Sequence, residues 1–133
     1  MGNGMEEAAT GHKAIIEEYI SAYNAFDVER MLSYVHQDVE FKNVSGGVVN
    51  AAASGIDELR KMAEQSKQLF STRHQSVISF EEKGDIARVE IKFEAIFAVD
   101  LPNGVKAGDS LNLEGKSIFE FKDGKLWRIA DYS

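Results

Sequence analysis

The chain has no cysteine, which removes disulfides and thiolate chemistry and leaves no redox sign of its compartment. Proline occurs once, in Pro102-Asn103-Gly104, and no linker, repeat or low-complexity tract is visible. No stretch approaches the ~20 apolar residues that would span a bilayer. The small, acidic start from Met1 to Gly11 lacks a cationic region followed by an apolar run, so no secretory signal is read, and a soluble, cytoplasmic protein is expected. Positive charge is also short. A net charge of −7, with lysines scattered among acids, argues against nucleic acid or a membrane as partner. The three histidines, His12, His36 and His74, show no H-x-H or H-x-x-x-H spacing, so no metal site is read and no cofactor is expected. Gly2-Asn3-Gly4 and Gly46-Gly47 lie outside any strand-to-helix phosphate loop, and no G-x-S-x-G elbow is present. Asn43-Val44-Ser45 matches a glycosylation sequon only formally, since no secretory signal accompanies it.

What is present suffices for one domain. At 133 residues and 44% apolar, the chain can bury roughly 65–70% of its unfolded surface. Residues 1–11 carry no apolar periodicity and are expected to form a flexible leader, with residues 12–133 as the domain. Ile15, Ile16, Tyr19, Ile20, Tyr23 and Phe26 make the stripe of an amphipathic helix. Asp27 reads as the N-cap of a short second helix with Val28, Met31, Leu32 and Val35 inside. Val39 and Phe41 suggest a short strand, Gly46-Gly47 a turn, and Val48 to Ala52 a returning strand. Ser54-Gly55-Ile56-Asp57 fits a capping box opening a third helix along Ile56, Leu59, Met62, Ala63 and Leu69.

Extended runs then follow at 72–82, 86–100, 110–122 and 126–132, divided by turn residues at 83–85, 102–104 and 123–124. Val89, Ile91, Phe93, Ala95, Phe97 and Val99 share one face of their strand, against Arg88, Glu90, Lys92 and Glu94. In the next strand, Leu113, Gly115, Ser117 and Phe119 oppose Glu114, Lys116 and Glu120, with Ile118 an apolar exception on the polar face. The predicted fold is α+β: a curved antiparallel sheet packed on three N-terminal helices as a cone that encloses a pocket.

Four segments carry a family likeness. They are Tyr19-Ile20-Ser21-Ala22-Tyr23-Asn24-Ala25-Phe26-Asp27 at the helix corner, His36-Gln37-Asp38-Val39-Glu40-Phe41 at the first strand, Ser54-Gly55-Ile56, and the last hairpin from Phe119 to Ile129. With this element order, the chain resembles the nuclear transport factor 2-like superfamily, which holds ketosteroid isomerases and SnoaL-like polyketide cyclases. The resemblance implies a cystatin-like α+β barrel, a mainly apolar pocket, and a homodimer formed through the sheet. It places Tyr19 where isomerases carry their oxyanion-donor tyrosine. It places Asn43 where they carry the general-base aspartate, and Ser117 where they carry a protonated aspartate. An amide cannot take a proton, so the usual isomerase mechanism is not expected.

Candidate catalytic residues are therefore Tyr19, His74 and Asp131. Tyr19 would donate a hydrogen bond to a ligand oxygen, with Tyr23 one turn on as either a second phenol or core. Strand alternation puts Asp131 on the face of Trp127 and Ile129, and a carboxyl in an apolar pocket has its pKa raised toward general acid/base use. Arg73-His74 resembles an Arg-His pair seen in parts of the superfamily and would supply a proton shuttle or an anion contact. His36 reads as a surface loop residue and His12 as solvent-exposed. Tyr23, Asn43, Phe93, Phe97, Ser117, Phe119 and Trp127 are expected to line the pocket. Two functions fit: an isomerase- or cyclase-like enzyme moving a proton beside the carbonyl of a small apolar compound, or a binding or dimeric scaffold domain without turnover.

Overall fold

The structure is a computed structural model that describes residues 11–133, so the expected leader lies, but for Gly11, outside the described residues. The first helix, α1, runs His12–Asn24 and buries Ile15, Ile16, Tyr19, Ile20 and Ala22. It stops two residues short of the predicted stripe's end. Phe26 sits in the corner beyond it with φ +60°, a left-handed conformation uncommon for a bulky side chain. Asp27 caps the short α2, Val28–Leu32, by accepting the Arg30 N–H at 3.2 Å.

Strand β1, Val35–Ser45, starts earlier than the alternation of Val39 and Phe41 suggests, and takes Val35 out of the helix. It turns through Gly46 and Gly47, both at positive φ, into β2, Val48–Ser54. That two-residue turn with two left-handed residues is the geometry that twists adjacent strands correctly, and it selects glycine. The third helix, α3, spans Ile56–Ser66. Its N-cap is Gly55 at φ +85°, not Ser54, and the capping box is only half realised. Glu58, not Asp57, reaches back to accept the Ser54 N–H at 2.8 Å, while the Ser54 hydroxyl donates to Glu40 at 2.7 Å.

A short 3-10 turn, Lys67–Leu69, leads into β3, Phe70–Lys83, followed by β4, Ile86–Phe97, β5, Ser110–Lys122, and β6, Lys125–Tyr132. The six strands form one sheet in the order β2-β1-β6-β5-β4-β3. Among the described residues only the β1–β6 pair is parallel. The fold is thus α+β, three helices laid on a curved, unclosed sheet, as the helix-then-strand order predicts. The inner face carries Val89, Ile91, Phe119 and Ile129, all buried under α1. The outer face carries Arg88, Glu90, Lys92 and Glu94, all exposed.

Strict alternation fails in the last hairpin. The pairing register shifts between Glu120 and Phe121, a bulge that brings Leu126 and Ile129, three residues apart, to the inside. Trp127 is turned outward, where the Lys122 ammonium lies 4.7 Å and the Arg128 guanidinium 4.2 Å from its ring centroid.

Candidate active site

Between the sheet and the helices lies a cavity of about 580 Å³. Helix α1 offers Tyr19 and Tyr23 to it, one turn apart on its inner face. Strands β1, β6 and β5 contribute a polar row. Asn43 and Ser117 are the register partners of Asp131 on its two sides, and all three line the cavity. Asn43 and Ser117 are an amide and a hydroxyl, and Asp131, the single acid on the cavity wall among the described residues, stands on the strand between them.

Ser117 is buried, and its hydroxyl donates to Asp131 Oδ1 at 2.6 Å. Oδ2 has no partner among the described residues, which leaves it free toward the cavity. Removal from bulk water pushes the Asp131 carboxyl up from 3.8 to about 6, and the Ser117 hydrogen bond only partly offsets this. Asp131 is therefore ionised above that pH and can take up a proton near neutrality.

Tyr19 is 9% exposed and packs edge-on against Phe119, ring centroids 6.0 Å apart at 79°. Its hydroxyl has no hydrogen-bond partner among the described residues, yet it is not sealed in, so it opens to the cavity. Burial first, then the negative charge of Asp131 and the neighbouring Tyr23, raises its pKa well above the ordinary phenol value. Tyr19 therefore stays protonated and keeps its O–H as a donor toward the cavity. Tyr19 and Asp131 both line this cavity.

Strand β3 presents Arg73, 6% exposed, to the cavity and turns His74 to solvent on the outer face, opposite Glu94. His74 is thus not a catalytic candidate; alternation allows only one member of the Arg73-His74 pair inside. A clamp decides which. Asn24 accepts the Gln75 N–H at 2.7 Å and donates to the Gln75 carbonyl at 3.1 Å, fixing the end of α1 on β3. Gln75 and Arg73 then face inward together, a pairing that period-two spacing could have indicated for Gln75.

The remaining expectations divide. Phe93 and Phe119 line the cavity. Phe97 does not, because it lies behind Phe70, centroids 5.3 Å apart, and Phe70 forms the wall instead. Trp127 is on the outer face. His36 belongs to β1, where its Nδ1 accepts the Asp38 N–H at 2.9 Å. His12 is not solvated but stacks on Phe121 at 3.9 Å and contacts Glu82 at 2.9 Å. Among the described residues no cluster of three His, Cys, Asp or Glu could hold a metal, and no helix is long and apolar enough to cross a membrane.

Gly115 sets the end of this row. A Cβ on it would overlap the Tyr132 carbonyl oxygen, a backbone atom that cannot step aside. Gly115→Ala is expected to destabilise the protein by about 1–3 kcal/mol through overpacking, read from the denaturant midpoint. An unchanged midpoint contradicts the close approach of β5 to the β6 terminus.

The SnoaL-like domain model matches residues 16–129. The chain belongs to the SnoaL-like domain family. No curated protein matches the chain in sequence. Solved structures resemble this SnoaL-like domain across nearly all its length. AclR from Streptomyces galilaeus, named as a candidate hydroxylase, is 20% identical at TM-score 0.72, covering 96% of this chain and 88% of its own. A protein from Xanthomonas campestris pv. campestris, named as a candidate polyketide cyclase, is 17% identical at TM-score 0.73, covering 91% and 88%. An NTF2-like protein of unknown function from Burkholderia pseudomallei is 18% identical at TM-score 0.71, covering 98% and 90%. Others of similar shape are described as ketosteroid isomerase-like and cystatin-fold proteins. At these identities the likeness concerns the fold alone, and it agrees with the nuclear transport factor 2-like architecture expected from the helix corner and last hairpin.

Proposed function

We propose that this SnoaL-like domain catalyses proton transfer beside the carbonyl of a small, largely apolar compound, without a cofactor. The observation that carries this reading is one free carboxylate oxygen, on Asp131, facing the same cavity as one free phenol, on Tyr19. Asp131 Oδ2 takes the proton from the carbon next to the carbonyl. The C–H electron pair forms the enolate, whose oxygen accepts a hydrogen bond from Tyr19, and Asp131 returns the proton to carbon. The resemblance to candidate cyclases and ketosteroid isomerase-like folds supports this class of chemistry. So does the apolar wall of Phe93, Ile91 and Phe119, which limits water at the enolate.

The test uses 2-tetralone, an apolar ketone with acidic α-hydrogens, in D2O. Proton NMR is expected to show α-hydrogen exchange accelerated by the protein, with the rate rising as pH passes through about 6. No acceleration at any pH overturns the reading and leaves ligand binding without turnover.

The outer face supports a homodimer. Ile86, 48% exposed, stands with Ile118 and Ala130 around a hollow on that face whose lining also carries Glu40, Lys42, Glu120 and Arg128. Light scattering at micromolar concentration is expected to give a dimer, and Ile118→Glu a monomer, because pairing would bury an unpaired charge. A monomeric wild-type protein contradicts the pairing.

A further inference from the structure

Arg73 is the group the proton-transfer reading leaves without a task. Its guanidinium stacks on the Tyr23 ring at 3.7 Å and the Phe26 ring at 4.3 Å. Its Nε donates to the Tyr23 carbonyl at 2.8 Å. Those contacts satisfy the two faces and one edge of the group. The Nη edge, with its four N–H donors, meets no acid among the described residues and has only the Tyr23 hydroxyl as a side-chain partner, although the residue is 6% exposed and lines the cavity.

No carboxylate among the described residues pairs with it in a salt bridge. Asp131, the one acidic side chain on the cavity wall, lies three strands across the sheet and six residues along it, because Arg73 pairs with Ala95 and Asp131 lies across Ser117 from Val89. A cation this enclosed, with its charge unmatched and most of its donors unused, is costly to maintain unless an anion arrives to meet it.

We propose that the natural ligand carries a carboxylate, received end-on by the Nη edge of Arg73, at the end of its apolar body remote from the reacting carbonyl. A planar guanidinium edge matches the two oxygens of a carboxylate, and the stacked rings of Tyr23 and Phe26 hold that edge in place. The positions of the polar groups set the order along the ligand. Tyr19, on α1, lines the same cavity as Arg73 on β3 and Asp131 on β6. The carboxylate therefore sits at the β3 end, the apolar body crosses Phe93, and the carbonyl meets Tyr19 and Asp131 at the β5–β6 end. The substrate class is a keto acid with an apolar body between its two oxygen groups. This specification of the ligand rests on the proton-transfer reading for the carbonyl alone; the carboxylate contact stands on equilibrium binding and needs no turnover.

The test compares two probes of equal shape, 2-naphthoate and the neutral 2-naphthamide, by isothermal titration at pH 7.5. The wild-type protein is expected to bind the anion at least about tenfold more tightly. Arg73→Gln is expected to bring the two affinities within about threefold, and Arg73→Lys to keep part of the preference. In the wild-type protein, the Arg73 side-chain ¹⁵N resonances are expected to shift with 2-naphthoate and not with 2-naphthamide, a readout that holds if Arg73→Gln fails to fold. Equal affinity in the wild-type protein, or binding of neither probe, overturns the proposal. So does a preference that survives Arg73→Gln and is lost in Lys116→Gln, since Lys116 is the other cation on the wall. Failure of 2-tetralone exchange with an intact anion preference sinks the proton-transfer reading and leaves the Arg73 contact standing.

Discussion

Asp131→Asn is expected to lower the catalysed exchange by roughly 10²–10⁴-fold while making the protein more stable at pH 8. The loss of rate follows from the amide, which keeps an oxygen to accept the Ser117 hydroxyl but cannot take a proton. The gain in stability follows from linkage. In the folded protein Asp131 holds its proton up to about pH 6, whereas an ordinary aspartate releases it near 3.8. Between those values the folded state binds more protons than the unfolded one, so stability falls as pH rises through the interval and stays lowered above it. At 1.36 kcal/mol per pH unit, the shift from 3.8 to about 6 corresponds to at most about 3 kcal/mol, reduced by whatever water in the cavity solvates the carboxylate. The two unfolding curves should converge below pH 4 and separate above pH 6. A purely structural aspartate gives the opposite sign, since its loss destabilises the protein where it is ionised. Parallel stability profiles for the two proteins would remove the raised pKa from the argument.

The same residue shows how far the sequence reaches. Period-two spacing puts Asp131 and Ser117 on inner faces, and the structure makes them neighbours. The helix stripes also carry through, because apolar residues at i, i+3 and i+4 have one way to bury together, and Tyr19 and Tyr23 follow from that stripe. Three placements were not legible. Trp127 follows the same alternation as Asp131, but a bulge between Glu120 and Phe121 reverses its side, and a bulge leaves no composition signal of its own. His74 and Arg73 are adjacent, so only one can face inward, and the choice is made by Asn24, fifty-one positions before Gln75 in sequence. Phe97 keeps the right parity, but β4 ends there, and Phe70 from the neighbouring strand takes its place on the wall. The helices report themselves locally, whereas the sides of the late strands are settled by long-range pairing.

Tyr19→Phe is expected to slow exchange by about 10²-fold, the usual effect of removing one oxyanion donor, and to leave stability unchanged or slightly raised. These opposite responses come from one fact. The Tyr19 hydroxyl has no partner among the described residues, so phenylalanine gives up no internal hydrogen bond and keeps the edge-on contact with Phe119. What it gives up is the donor at the enolate oxygen, which matters only as negative charge develops there. The rate deficit should appear as a fall in kcat with little change in KM, and should be the same on both sides of pH 6, because a phenol with its pKa raised by burial does not titrate in that range. Exchange rates and urea midpoints measured on the same samples decide the matter. A rate within threefold of wild type would show that the enolate oxygen is held elsewhere, and a large loss of stability would make Tyr19 a packing residue instead of a donor.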